Sequence, residues 1–201
     1  MLGVPMRTLL IRCLAWTLCA CAEPAPSSPD GGFQASLLVS RYDSVIVQYA
    51  PGDNRLLAWS PAGKVLWSTP LPAGEQVVSR PCVAPDSTVY LRGTKGVYAL
   101  TVDGKLAWDY AIAPFEGMRE LGAPAPMRNS GVALAVAPNT VVALAPDGVE
   151  MWRHRLSRNR TLRSAPIVGP SGYITLATSD SLLQLGDDGL VVWDPPGAAA
   201  R

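Results

Sequence analysis

The side chains best suited to nucleophilic and general-base chemistry are scarce. The chain holds a single histidine, His154, and one cysteine beyond the N-terminal segment, Cys82. A reactive thiolate needs a neighbouring base or cation to lower its pKa. A hydrolytic triad needs an imidazole between a hydroxyl and a carboxylate, and a zinc site needs three or four nitrogen, sulfur or oxygen ligands. None of these is spelled out around either residue, and no glycine-rich loop opens a helix as a phosphate cradle would require. Cys82 reads as a small hydrophobe in a strand. His154 lies two positions after Trp152 and therefore on the same face of one strand, where a packed or solvated imidazole is the ordinary outcome. The acids Asp103, Asp147 and Asp188 each precede a glycine and read as turn residues. These observations exclude the common catalytic constellations, with no catalytic residue, metal site or cofactor expected.

A second set of residues suits binding. The stretch "RHRLSRNRTLR" carries Arg153, Arg155, Arg158, Arg160 and Arg163, a cluster able to meet an acidic protein or an anionic lipid. Forty residues upstream, "APFEGMRELGA" offers Phe115, Met118 and Arg119, types enriched at protein interfaces. Phe115, Met118, Arg119, Arg158, Arg160 and Arg163 are the candidate partner-binding residues. Over the whole chain 17 basic and 16 acidic side chains nearly cancel, which leaves no electrostatic footprint for nucleic acid.

The elements that must carry these residues repeat. Turn glycines fall at Gly63, Gly104, Gly148 and Gly189, and a tryptophan follows each by four residues: Trp67, Trp108, Trp152 and Trp193. Both series are spaced 41, 44 and 41 residues apart. Four residues before each glycine stands a large apolar residue (Trp59, Leu100, Leu144, Leu185). Five before it stands Ala58, Ala99, Ala143 or Gln184, and six before it Leu57, Tyr98, Val142 or Leu183. Each unit reads as four short strands, in the second unit about 80–84, 88–93, 96–101 and 105–112, and no run shows helical period. Pro61 and Pro146 two residues before their glycines suit a type I turn followed by a glycine bulge. A four-stranded unit recurring at about 40–45 residues is the signature of a β-propeller blade. Each tryptophan then sits in the outermost strand, where its apolar area docks blade on blade.

"GVYALTVDGKLAW" and "RLLAWSPAGKVLW" resemble the pyrroloquinoline-quinone-type (PQQ-like) propeller repeat, with its apolar-Ala-Leu strand, Gly-Lys turn and docking tryptophan. "VVALAPDGVEMW" and "LLQLGDDGLVVW" are similar without the lysine. The resemblance implies an all-β propeller over residues 36–196, with four blades at about 36–70, 79–112, 123–156 and 164–196. Quinoprotein dehydrogenases share the repeat, and so do non-catalytic propellers such as the lipoprotein subunit of the outer-membrane β-barrel assembly machinery. In the enzymes an adjacent cysteine pair, a calcium held by carboxylates and a base Asp surround the quinone. This chain has neither the cysteine pair in its mature part nor a cluster of acids outside the turns. The resemblance therefore implies a non-catalytic envelope scaffold that binds protein, with outer-membrane protein assembly as the specific role. The alternative is a quinone- or other small-molecule-binding propeller, a relic or a sensor. The family usually closes seven or eight blades. Four blades leave three outcomes: a tight ring, half of a larger ring completed by a second copy, or an open arc. The edge hazards of a lone arc favour the first two, although no swapped strand is available to latch a ring.

The N-terminus reads as targeting sequence. "MLGVPMRTLLIR" is basic and lacks acids, and "CLAWTLCA" is apolar but too short to span a bilayer, which takes about 20 residues. "LCAC" resembles a bacterial lipobox, which makes residues 1–21 a signal peptide and Cys21 the lipidated residue. "ACA" also fits ordinary signal cleavage, which would secrete the chain to the periplasm. Ala22 after the cysteine points a lipoprotein to the outer membrane, facing the periplasm. Residues 22–35, rich in Pro, Ser and Gly, form a tether, and 197–201 a tail.

Overall fold

The computed structural model describes residues 37–39, 46–50, 53–115, 117, 121–157 and 159–195. The signal peptide, Cys21, the tether and the tail lie outside the described residues. So do Met118, Arg119 and Arg158.

All sixteen strands belong to four antiparallel sheets in simple sequence order. Blade 1 comprises β1 (Leu37–Val39), β2 (Ile46–Ala50), β3 (Arg55–Trp59) and β4 (Val65–Pro70). Blade 2 comprises β5 (Cys82–Val83), β6 (Val89–Arg92), β7 (Gly96–Leu100) and β8 (Leu106–Ala111). Blade 3 comprises β9 (Ala125–Pro126), β10 (Val132–Ala137), β11 (Thr140–Leu144) and β12 (Glu150–Arg155). Blade 4 comprises β13 (Ile167–Val168), β14 (Ile174–Ala177), β15 (Leu182–Leu185) and β16 (Val191–Trp193). The strands are short, rich in Val, Ile, Leu and Tyr, and bounded by turns. This is the composition that a sheet buried between two neighbours requires.

The last hairpin of every blade has one construction. The glycine adopts a positive φ, 79° at Gly104 and 87° at Gly148, and its N–H donates to the carbonyl three residues back, Thr101 or Ala145. The register shifts at the end of the preceding strand, between Ala99 and Leu100 or Ala143 and Leu144. Type I geometry followed by a left-handed residue and a bulge brings the outer strand back in phase.

Joints between blades are equally regular. The Trp67 indole lies over the Gly104 turn, Trp108 over Gly148 and Trp152 over Gly189. A Cβ at Gly148 would stand 2.7 Å from Trp108 Cδ2, and one at Gly189 2.5 Å from Trp152 Cδ2. Only glycine leaves room for the ring. Each indole Nε1–H donates to the carbonyl two residues before that glycine: Trp67 to Val102 at 2.8 Å, Trp108 to Pro146 at 2.7 Å and Trp152 to Asp187 at 2.7 Å. Burying the ring with its one donor satisfied removes the cost that an unpaired N–H would carry.

The core is correspondingly divided. One cluster joins blades 1 and 2 (Val47, Tyr49 and Leu56 against Val89, Leu91, Tyr98 and Leu100). A second joins blades 2 and 3 through Tyr90, Val97 and Ala99 against Val132, Leu134, Val142 and Leu144. A third joins blades 3 and 4 through Ala133, Ala135, Val141 and Ala143 against Ile174, Leu176, Leu183 and Leu185. Among the described residues no cluster joins blade 4 to blade 1. The propeller is an open arc. The tight four-bladed ring does not form, and among the described residues Trp193 docks against no blade and is 46% exposed.

Candidate protein-binding surface

The connections from each outer strand to the next blade emerge beside the turns between the second and third strands. Leu71, Ile112 and Leu156, each just past an outer strand, donate their backbone N–H to Asn54, Lys95 and Asn139 of those turns at 2.8–2.9 Å. All three side chains are buried. One end of the arc thus collects both sets of loops on a rigid frame, the arrangement in which binding residues are ordinarily displayed.

The first connection is anchored deeply. Leu71, Glu75, Val77, Val78 and Ser79 are buried. The Glu75 carboxylate accepts hydrogen bonds from the Tyr98 hydroxyl, from Thr94 Oγ1 at 2.8 Å and from the Lys95 backbone N–H at 3.0 Å. Burial opposes ionisation of Glu75, but these donors outweigh it and hold the carboxyl below its ordinary value. Burial and the Glu75 partner push the Tyr98 phenol up. Fully buried Arg92 belongs to the same region, and desolvation lowers its guanidinium to about 10 despite the opposing charge of Glu75. What shows at the surface is Pro72, Ala73, Gly74, Gln76 and Arg80.

The second connection places Phe115 against two core clusters, those of blades 2–3 and 3–4, so this aromatic is mainly a wedge between blades. Leu121 at the end of the same segment is buried with it.

The third connection splits the arginine cluster. Arg160 is a clamp: Nε meets Asp180 Oδ1 at 2.8 Å, Nη1 meets Asp194 Oδ2 at 2.7 Å, and Nη2 donates to Thr178 and Ser181. Hydrogen bonds donated to Asp194 and then to Asp180 raise its pKa above the ordinary arginine value. Arg153 pairs with Glu150 at 2.7 Å and donates to the Tyr110 hydroxyl at 3.0 Å, bracing blade 3 on blade 2. Arg155 and Arg163 remain exposed cations, and exposed Lys95 lies at the same end.

Residues with chemical potential have structural occupations. His154 Nδ1 lies 3.2 Å from the Gly189 carbonyl in the joint between blades 3 and 4. Cys82 is half-buried against the blade 2–3 core, and desolvation pushes its thiol up, away from the reactive thiolate. Asp103 binds Thr101 and Lys105, while Asp147 and Asp188 accept the backbone N–H two residues on. Among the described residues no three His, Cys, Asp or Glu side chains are grouped to hold a metal ion. Among the described residues, one pocket of about 200 Å³ is lined by Thr69, Pro70, Leu71, Tyr98 and Leu106, and another of about the same volume by Arg128, Asn129, Tyr173 and Asp187. Both are below the roughly 300–1,000 Å³ of ordinary cofactor sites.

Fold and joints define the class: an arc of PQQ-like propeller blades docked by tryptophan on glycine turns. A family model described as "Outer membrane protein assembly factor BamB" matches residues 15–195, and the chain belongs to that family. Among solved structures, BamB from Moraxella catarrhalis is similar with a TM-score of 0.55 at 15% identity, over 78% of this chain and 47% of that one. A catalytically inactive virginiamycin B lyase from Staphylococcus aureus is similar with a TM-score of 0.60 at 13% identity, over 87% of this chain and 60% of that one. The Pan2 WD40 domain of Neurospora crassa gives 0.59 at 16% identity, over 85% and 52%. The chain thus spans about half to three-fifths of the structures it matches, and an assembly factor and a lyase share its fold. No curated protein matches the sequence at a significant level.

Proposed function

We propose that this protein is a non-catalytic cell-envelope scaffold that binds protein through its connection face, acting in outer-membrane protein assembly. The observation that carries the reading is the assembly-factor family match running through all four blades. The structural occupations of His154, Cys82 and the turn aspartates favour a scaffold over an enzyme. Exposed Lys95, Arg155 and Arg163 around the anchored loops suit an acidic protein segment. Cys21 carries the lipid in this reading, and residues 22–35 let the arc reach into the periplasm from the outer membrane.

The test is co-purification of tagged full-length protein from gently solubilised envelopes, with partners identified by mass spectrometry. Recovery of assembly-machinery subunits, reduced at least fivefold by Arg155→Glu with Arg163→Glu, is the expected result. Recovery unaffected by the charge reversals would move the site off this face, and absence of those subunits would sink the assembly role. Saturable quinone binding with a spectral shift would instead favour the small-molecule alternative.

A further inference from the structure

The arc ends in two unmatched halves of the joint that it makes three times internally. At each internal joint an outer-strand tryptophan covers a glycine turn and donates to the carbonyl two residues before the glycine. Blade 4 supplies a fourth tryptophan, half-exposed Trp193, with no turn beneath it among the described residues. Blade 1 supplies a fourth turn, Gly63 at φ 75°, whose Cβ position meets nothing within 4 Å. The carbonyl two residues before it belongs to Pro61.

The sheet faces agree. Strands β6, β7 and β11 are buried on both faces, whereas β14 reads buried–half-buried in alternation and β2 and β3 the reverse. One face of blade 4 is therefore uncovered, with Ile167 at 64% exposure and Leu182 at 49% beside Thr175 and Gln184. The opposite face of blade 1, Ile46, Gln48, Leu57 and Trp59, is only half-buried. By register, Gln184 stands where blades 1, 2 and 3 have Ala58, Ala99 and Ala143, each paired with its tryptophan. Gln48 stands where blades 2, 3 and 4 have Leu91, Leu134 and Leu176. Each end face thus carries one carboxamide, which both donates and accepts. In the arc Gln48 accepts from Trp59 Nε1 at 3.1 Å and Gln184 donates to Thr175 at 3.3 Å.

We propose that the occupant of each end is a second copy of this chain. Trp193 of one copy seats on the Gly63 turn of the other and donates to its Pro61 carbonyl, with the glutamines meeting across the same joint. A head-to-tail contact made twice about a two-fold axis closes on itself. Two copies bring eight blades, within the four to eight of closed propellers, whereas three copies would exceed it. The inference rests on the joint geometry and is independent of the envelope role.

The test is sedimentation equilibrium of the full-length protein in mild detergent, with Trp193→Ala and Gly63→Asn. Asparagine is among the residues that best tolerate a left-handed backbone, and the open space at Gly63 adds no steric clash within the arc, so neither variant should unfold. Wild type is expected as a dimer, each variant with a dissociation constant raised at least tenfold. Mixing the two variants should restore association in part, because the mixed pair retains one intact joint. A wild-type monomer at every concentration, growing filaments, or dimers indifferent to both substitutions would each overturn the proposal.

Discussion

Blades 2 and 4 are built from the same repeat and have different fates. In blade 2 every residue of β6 and β7 is buried, and Trp108 lies between its own sheet and the Gly148 turn. In blade 4 the corresponding strands are buried on one face, and Val191, Val192 and Trp193 are all about half exposed. The difference teaches that a blade's burial belongs to its neighbours rather than to its own sequence. In such an array, stability is approximately a sum of unit and nearest-neighbour terms. The same substitution should therefore cost a great deal at an inner joint and little at an end.

The largest contrast is expected at the turns. Gly148→Val forces a β-branched residue into a left-handed backbone and drives it into Trp108, for a loss of about 3 kcal/mol or more in urea unfolding. Gly63→Val meets the backbone penalty alone, about 1–2 kcal/mol. Equal losses would break the comparison.

Next come the tryptophans. Trp108→Ala removes a ring packed across a joint, with its hydrogen bond to Pro146, and should cost about 2–3 kcal/mol. Trp193→Ala should change the stability of the isolated arc by no more than about 0.5 kcal/mol. Thermal unfolding of the two variants at low protein concentration sharpens the distinction.

Glu75 adds a pH dependence within the inner region. Its carboxyl titrates below the unfolded value of about 4.3. The stabilisation is therefore complete above that pH and is lost as pH falls through the folded value. Glu75→Gln should flatten stability between about pH 5 and 3 relative to wild type and lower it at pH 7 by about 1–2 kcal/mol. An unchanged acid limb would remove Glu75 from this role.

The smallest contrast separates two arginines of one segment. Arg160→Ala loses the clamp between the third connection and the end of β16, for about 1–2 kcal/mol. Arg163→Ala, exposed, should fall within about 0.5 kcal/mol. Parallel denaturation curves with coincident midpoints would show that the clamp contributes nothing.

Much of the architecture is legible because its signals are local. In the second blade the strands expected at 88–93, 96–101 and 105–112 contain the observed β6, β7 and β8. The glycine and proline positions announce the bulged turns because backbone conformation there depends on a few adjacent residues. The candidate binding residues were less legible. Composition marks Arg160 and Arg163 alike, yet one is held by two aspartates and the other is exposed. Asp180 and Asp194 lie 20 and 34 residues along the chain, too far for spacing to reveal the pairing. Phe115, an interface type by composition, wedges between blades for the same reason. Nothing in "PAGEQVV" shows that Glu75 is buried, because its donors Thr94, Lys95 and Tyr98 lie 19, 20 and 23 residues further along the chain.

The sequence by itself determined the repeat, the four-strand unit, the turn chemistry and one tryptophan per blade, because each follows from short-range sterics and period. Only the tertiary structure decided which tryptophans find a turn, which charges are consumed inside the arc and that the arc stays open. Those outcomes depend on contacts between residues some 20 to 45 positions apart, and on where one blade stands relative to the next, which local pattern does not encode.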